Sequence, residues 1–412
     1  MTTAPRLPAF ALFAAMLAAA GLPIYIHAPK FYAATHGVSL AALGTVLFGL
    51  RLLDVVQDPL LGRLAAIWQG WRGVSVALAA AIMAAAMIGL FAVTPPVAPL
   101  IWFAAMMTLV FSGFSYLTIC FYAEGVSSAA HLPGQGHLRL ARWRETGALL
   151  GICAAAIAPV VVGGHGLFAV AFAGLALLAV WAMRAEWRGT GRAVASAGAG
   201  AGLGAVLGDL VARRLLLVAL LNAAPVAVTA TLFLFFVENR LQAPGLAGAF
   251  LLIFFLSAAL AAPGWGWLAE RAGARRVLLS GMGLSVAAFA GAATLGAGDV
   301  WAFGLICLAS GAALGADMTL LPALFARRMA DISPGASEGF GLWSFASKFT
   351  LALAAIAVLP LLEAGGFRAG EDNGAAALRL LGLLYGALPC VLKLVAVGVL
   401  AMTDLQERRI PA

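Results

Sequence analysis

The chain has 412 residues, 63% of them hydrophobic and 10% charged, with a mean hydropathy of +1.02. A soluble domain carries roughly 25% charged residues, and a single soluble core cannot hide this much apolar surface, whereas lipid demands no polar cover. The net charge of +8 lies in short basic clusters between apolar runs, with no basic stripe interleaved with aromatics, so nucleic-acid binding is excluded and membrane topology explains the excess.

About 20 apolar residues cross the hydrocarbon core of a bilayer. The first apolar run follows Pro5 and Pro8 and outlasts a signal-peptide core, so it is expected to be an uncleaved first helix at 8–29. Further helices are expected at 40–66, 74–93, 98–122, 144–163 and 166–184, the last two separated only by the turn Gly163-Gly-His-Gly166. Arg188 to Gly208 contains Ala-Ser-Ala-Gly-Ala-Gly-Ala-Gly and reads as a flexible linker. A second set follows at 213–237, 246–268, 276–296, 300–325, 338–362 and 377–402. The expectation is an all-α membrane protein of twelve transmembrane helices. It comprises a six-helix half at 1–187, a cytoplasmic linker at 188–212 and a six-helix half at 213–412. That plan resembles the major facilitator fold.

With both termini in the cytoplasm, eighteen Lys and Arg fall on the inside and four on the outside, the remaining three lying within helices. This bias favours both ends inside and an even number of spans. Cys120, Cys153, Cys307 and Cys390 each sit in an apolar run, far apart in sequence. They read as small buried hydrophobes, with neither metal spacing nor a disulfide framework.

A charge at mid-bilayer costs about 2.5 kcal/mol or more and is usually paired, hydrated or functional. The second helix reads Arg51-Leu-Leu-Asp54-Val-Val-Gln57-Asp58-Pro59-Leu-Leu-Gly62. Residues 51, 54 and 58 share one helical face, which must look into the protein or into water. Two carboxylates one turn apart offer oxygen ligands to a small hard cation such as Na⁺, or a proton-binding pair. Pro59 and Gly62 suggest a kink. Lys348, deep in an apolar run of the eleventh helix, calls for a carboxylate partner, with Asp54 and Asp58 the obvious candidates. A cation taking the carboxylates would break such a pair. The competing reading makes these charges static helix locks. Asp317 in the tenth helix stands between a gating and a capping role, and Lys393 is isolated.

Tyr25, Tyr32, Tyr116, Tyr122, Trp265 and Trp343 are candidates to line a substrate cavity or to anchor helices at the interface. His27 sits at the outer end of the first helix, and His131, His137 and His165 fall in loops. No hydrolytic triad, metal tetrad or phosphate-cradling loop is present, and no enzyme activity or cofactor is indicated.

Four segments resemble the glycoside–pentoside–hexuronide:cation symporters of the major facilitator superfamily, the branch that includes melibiose permease. They are Phe31-Tyr32 through Gly37-Val-Ser-Leu and on to Arg51–Gly62; Arg142-Trp-Arg-Glu145 with Gly151; Ala316-Asp317; and Glu338-Gly339 followed by Trp343-Ser-Phe-Ala-Ser-Lys348. The resemblance implies that Asp54 and Asp58 are cation ligands. It places Ser115 where sodium-using relatives offer a hydroxyl, and makes Lys348 the lysine that communicates with the carboxylate pair. Sugar-binding relatives carry aspartates where this chain has Ala18 and Thr118. The stretch Ala65-Ala-Ile-Trp-Gln-Gly-Trp-Arg72 lacks the acidic residue usual after the second helix.

The leading expectation is a Na⁺- or H⁺-coupled symporter of a small solute, a sugar by family default, in a bacterial cytoplasmic membrane. Its partners are that solute and membrane lipid, and a monomer is expected. A proton-coupled exporter or a carrier of lysolipid or apolar solutes is an alternative, as is a non-transporting receptor or assembly factor.

Overall fold

The computed structural model describes residues 5–188, 203–332, 337–367 and 373–403. The side chains of Tyr25 and Arg51, and most of the expected linker, lie outside the described residues. No strand occurs among the described residues.

The expected first helix is broken into α1 (Leu7–Ala19) and α2 (Leu22–His36). Hydropathy continues across the break, but the backbone leaves helical geometry at Gly21, and Pro23 has no N–H to donate back to Ala19. Phe31 and Tyr32, expected in a loop, extend α2, which ends at Gly37 with φ of 65°, a conformation glycine adopts without steric cost. Next come α3 (Leu40–Ile67), α4 (Arg72–Phe91), α5 (Pro99–Ala129), α6 (Gly136–Val161) and α7 (His165–Met183). The short α8 (Leu203–Gly208) lies inside the expected linker. It leads to α9 (Leu210–Phe235), α10 (Ala247–Ala272), α11 (Ala274–Ala292), α12 (Val300–Ile332) and α13 (Ser337–Ala364). The last span is α14 (Ala375–Gly382) and α15 (Leu388–Ala401), joined by one wide turn.

Among the described residues, seven helices are long and apolar enough to cross a membrane. The other five expected spans coincide with α1–α2, α3, α6, α11 and α13. The helices α5, α6 and α12 overrun the expected spans by several residues, because hydropathy measures bilayer thickness and not where the backbone stops being helical. His137, expected in a loop, lies in the first turn of α6. Burial and the nearby Arg327 guanidinium push its imidazole down to about 4. His165 opens α7 and stacks on Phe91, with centroids 5.5 Å apart.

The backbone divides into two compact units: residues 1–208 with 326–345, and residues 209–325 with 346–412. In the first, α1 lies along α6, and α4 packs on α5 and α7. Phe13 joins Phe121 and Trp187 in its core, at centroid distances of 4.9 and 5.5 Å. In the second, α15 packs on α9 and α11, and Phe236 stacks on Tyr385 at 4.1 Å. All four cysteines are free.

Lipid offers no hydrophobic drive for helices to associate, so close van der Waals approach over small residues supplies it. Gly147 and Gly151 of α6 lie one turn apart beneath Ala11 and Ala15 of α1. A Cβ on them would stand 2.2 and 2.4 Å from the carbonyl oxygens of Ala11 and Ala15. The second unit repeats the device, with Gly311 and Gly315 of α12 under the carbonyls of Phe254 and Ala258 of α10. Overpacking of this kind costs about 1–3 kcal/mol or more. Gly151→Val is therefore expected to lower the melting temperature of the detergent-solubilised protein by several degrees. Gly174→Ala, whose added methyl meets nothing within 4 Å, should leave it unchanged.

Candidate functional site

The second expected helix forms as α3, capped by Ser39, whose hydroxyl accepts a bond from the Ala42 amide at 3.2 Å. It runs through Pro59 without ending. Its two faces are inverted relative to a soluble helix. Val56 and Leu60 are 65% and 58% exposed, whereas Asp54 and Asp58 are 2% and 0% exposed. The apolar face suits lipid, and the carboxylates point into the first unit.

Each carboxylate accepts a hydrogen bond from a neutral side chain. Asp54 Oδ1 accepts a hydrogen bond from Gln57 Nε2 at 2.9 Å. Gln57 Oε1 in turn accepts one from Ser112 of α5 at 3.0 Å. Asp58 Oδ2 accepts a bond from the Ser344 hydroxyl of α13 at 2.5 Å. That last contact depends on a crossing with no side chain in it. A Cβ on Gly62 would stand 3.2 Å from Gly341 Cα, and one on Gly341 would stand 3.1 Å from the Asp58 carbonyl oxygen.

Of the residues expected in the cation site, Asp54, Asp58 and Ser115 all belong to the first unit and are buried. Ser115 lies one turn beyond Ser112 on α5, facing the same way. Lys348 is half-buried and belongs to the second unit. It lies on α13, one turn past Ser344. Gln57, Ser112 and Ser344 were not singled out from the sequence. Hydroxyls and amides scattered through apolar runs form no pattern until packing selects which of them meet a carboxylate. The donor set is carboxylate, hydroxyl and amide oxygen, which suits a hard monovalent cation or a proton. Among the described residues no group of three or more His, Cys, Asp and Glu side chains is placed to hold a metal ion.

The expected cavity residues are scattered. Tyr116 is buried and Trp343 half-buried. Thr118 keeps a buried Oγ1 that has no hydrogen-bond partner. Tyr32 is packed in the core against Phe103 and His36, at centroid distances of 5.0 Å each. Trp265 donates its indole N–H to the Ala312 carbonyl at 2.7 Å, tying α10 to α12.

Tyr122 belongs to a second charged cluster. Arg144 and Glu145, counted with a loop from the sequence, are buried within α6. Glu145 Oε1 accepts bonds from Arg144 Nε at 2.7 Å and from the Tyr122 hydroxyl at 3.1 Å. The Arg144 guanidinium lies 3.9 Å from the Tyr122 ring centroid, and Phe340 packs on that ring at 5.1 Å. Asp317 and Lys393, respectively open between two roles and left without one by the sequence, form a buried ion pair in the second unit.

A family model described as MFS/sugar transport protein matches residues 8–407. Among solved structures, the chain is similar to a bacterial homologue of the iron transporter ferroportin in its outward-facing state. The identity is 14% and the TM-score 0.68, covering 96% of this chain and 99% of that one. It is also similar to the E. coli fucose:proton symporter FucP, at 14% identity and a TM-score of 0.61, covering 95% of this chain and 98% of that one. At such identity the two structures speak for the fold, and together with the family match they establish the expected twelve-helix major facilitator fold. No curated protein matches the sequence.

Removing one partner of a buried ion pair costs roughly 3–5 kcal/mol, because it strands the other charge. Losing one hydrogen bond to a charged group costs about 1.5–3 kcal/mol. Thermal melts should therefore rank Glu145→Gln below Tyr122→Phe, and both below the unaltered protein.

Proposed function

The chain belongs to the MFS/sugar transport protein family, and from that premise we propose a secondary transporter that couples a cation, Na⁺ or H⁺, to symport of a small solute. Family membership makes it a multi-pass membrane transporter and not an enzyme. The symport reading goes further, and one observation carries it. Asp58 is fully buried on a helix whose opposite face is apolar and exposed, and it accepts a hydrogen bond from the Ser344 hydroxyl.

A carboxylate in a low-dielectric interior attracts a cation strongly. Asp54, Asp58 and Ser115 are the proposed ligands, with Ser112 and Ser344 as further hydroxyls. Lys348, one turn beyond Ser344, is the proposed ammonium that responds when the cation neutralises the pair. For coupling, the cation must bind one conformational state of the carrier more tightly than the other. The solute is a sugar by family default. The two six-helix halves, 1–187 and 213–412, are the proposed bodies that exchange access. The excess of Lys and Arg on one side supports both termini in the cytoplasm of a bacterium. Arg51, on the carboxylate face of α3, is a proposed member of the charge network. Tyr25, Tyr116, Thr118, Tyr122 and Trp343 are proposed for the solute path.

Uptake of labelled hexoses, pentoses and glycosides into proteoliposomes, under imposed Na⁺ or H⁺ gradients, tests this reading. Gradient-driven accumulation is expected for the unaltered carrier. In Asp58→Asn it should fall by on the order of tenfold or more, with little change in melting temperature. Accumulation that survives Asp58→Asn, with only stability reduced, rules out the coupling role.

A further inference from the structure

Lys393 and Asp317 form a second intramembrane charge pair, with the Lys393 ammonium donating to Asp317 Oδ2. Lys393 sits in the middle of α15 and Asp317 in the middle of α12. Both side chains are more than nine-tenths buried. The helices packed around them carry their charges at their ends. On α9 no charged residue falls between Arg214 and Glu238, which lies just past its end, on α10 none precedes Glu270, and on α11 none follows Arg276. Cys307 lies on α12, and Cys390 and Tyr385 lie on the span of α15. Cys390 donates to the Val286 carbonyl of α11 at 3.4 Å.

Two observations set this pair apart from a simple lock. Asp317 Oδ1 is buried and accepts no hydrogen bond. A carboxylate serving only to join two helices would be expected to have both oxygens satisfied, because a bare one keeps its full desolvation cost. The neighbourhood of Asp317 is also already fixed by other contacts. Gly311 and Gly315 seat α12 on α10, and Trp265 and Ser257 of α10 donate to the α12 carbonyls of Ala312 and Leu308 at 2.7 and 2.6 Å. A Cβ on Gly281 of α11 would stand 2.5 Å from the Ala316 methyl, so α11 lies equally close. An apolar pair would hold the same helices at lower cost. The open oxygen is the feature that packing does not explain.

We propose that Asp317 is a proton-exchanging carboxyl of the transport cycle, with Oδ1 as the atom that takes the proton and Lys393 as the counter-ion that holds the empty state. Hydronium gives up its proton and leaves as water. An O–H bond forms at Oδ1, and the carboxylate becomes a neutral carboxyl. Its ionic bond to Lys393 is lost, and the site gains one positive charge because Lys393 remains an ammonium. Loss of the proton restores the pair. The proposal rests on the transporter reading above and adds a proton site within the second unit, separate from Asp54 and Asp58.

The test needs no substrate. Infrared difference spectra are recorded on the purified full chain in a detergent without ester carbonyls, as the pH is stepped from neutral to mildly acidic. The unaltered protein should gain a protonated-carboxyl C=O band that shifts on exchange into heavy water. Asp317→Asn should lose the component of this band that Asp58→Asn retains, and Asp317→Glu should move that component in frequency. If Asp317→Asn keeps the whole band, Asp317 does not exchange protons and the pair is a fixed lock. Should Asp317→Asn fail to fold, an unmoved band in Asp317→Glu overturns the proposal equally. Because Asp58 is read by its own variant and by flux, failure here is distinguishable from failure of the coupling reading.

Discussion

At one place α3 and α13 meet with no side chain between them. Gly62 and Gly341 are so close that a methyl group on either would press on the other's backbone. The surroundings of Asp58 follow from that contact. One turn before Gly62 on α3 stands Asp58, and one turn after Gly341 on α13 comes the Ser344 hydroxyl that bonds it. Larger residues at the crossing would separate the helices and leave a buried carboxylate without its donor, which a protein interior tolerates poorly. Arg72 adds a second tie nearby, donating to the Ser337 hydroxyl in the first turn of α13 at 2.8 Å.

Four of the buried carboxylates among the described residues have defined partners. Glu145 and Asp317 are each matched by a cation, Arg144 and Lys393. Asp54 and Asp58 receive hydrogen bonds from an amide and a hydroxyl. A charge interacts more strongly in a low-dielectric interior than in water, so each of these contacts matters to the fold.

Most of the helical plan is legible in sequence, because a bilayer imposes a length on each apolar run. The break at Gly21 is not, since the run stays apolar across it and only Pro23 betrays the missing hydrogen bond. The helical turns that carry Arg144 and Glu145 are hidden for the opposite reason. Charged residues read as loop, although here the backbone is helical and the side chains are buried. Asp54 and Asp58 are legible because their spacing puts them on one face of a helix. Ser112 and Ser344 are not, because each is an ordinary serine in an apolar run until the fold brings it to a carboxylate. The pair of Asp317 and Lys393 spans 76 positions, and no periodicity links residues so far apart.

The central claim is that the Asp58 seat is where a cation acts. Thermal denaturation of the purified protein without substrate, in NaCl against choline chloride and across pH, tests it most directly, since a ligand that binds only the folded state raises its stability. The expected result is a cation-dependent rise in melting temperature for the unaltered carrier, weakened in Ser344→Ala and absent in Asp58→Asn. An equal rise in all three proteins, or none in any under either cation, would contradict it.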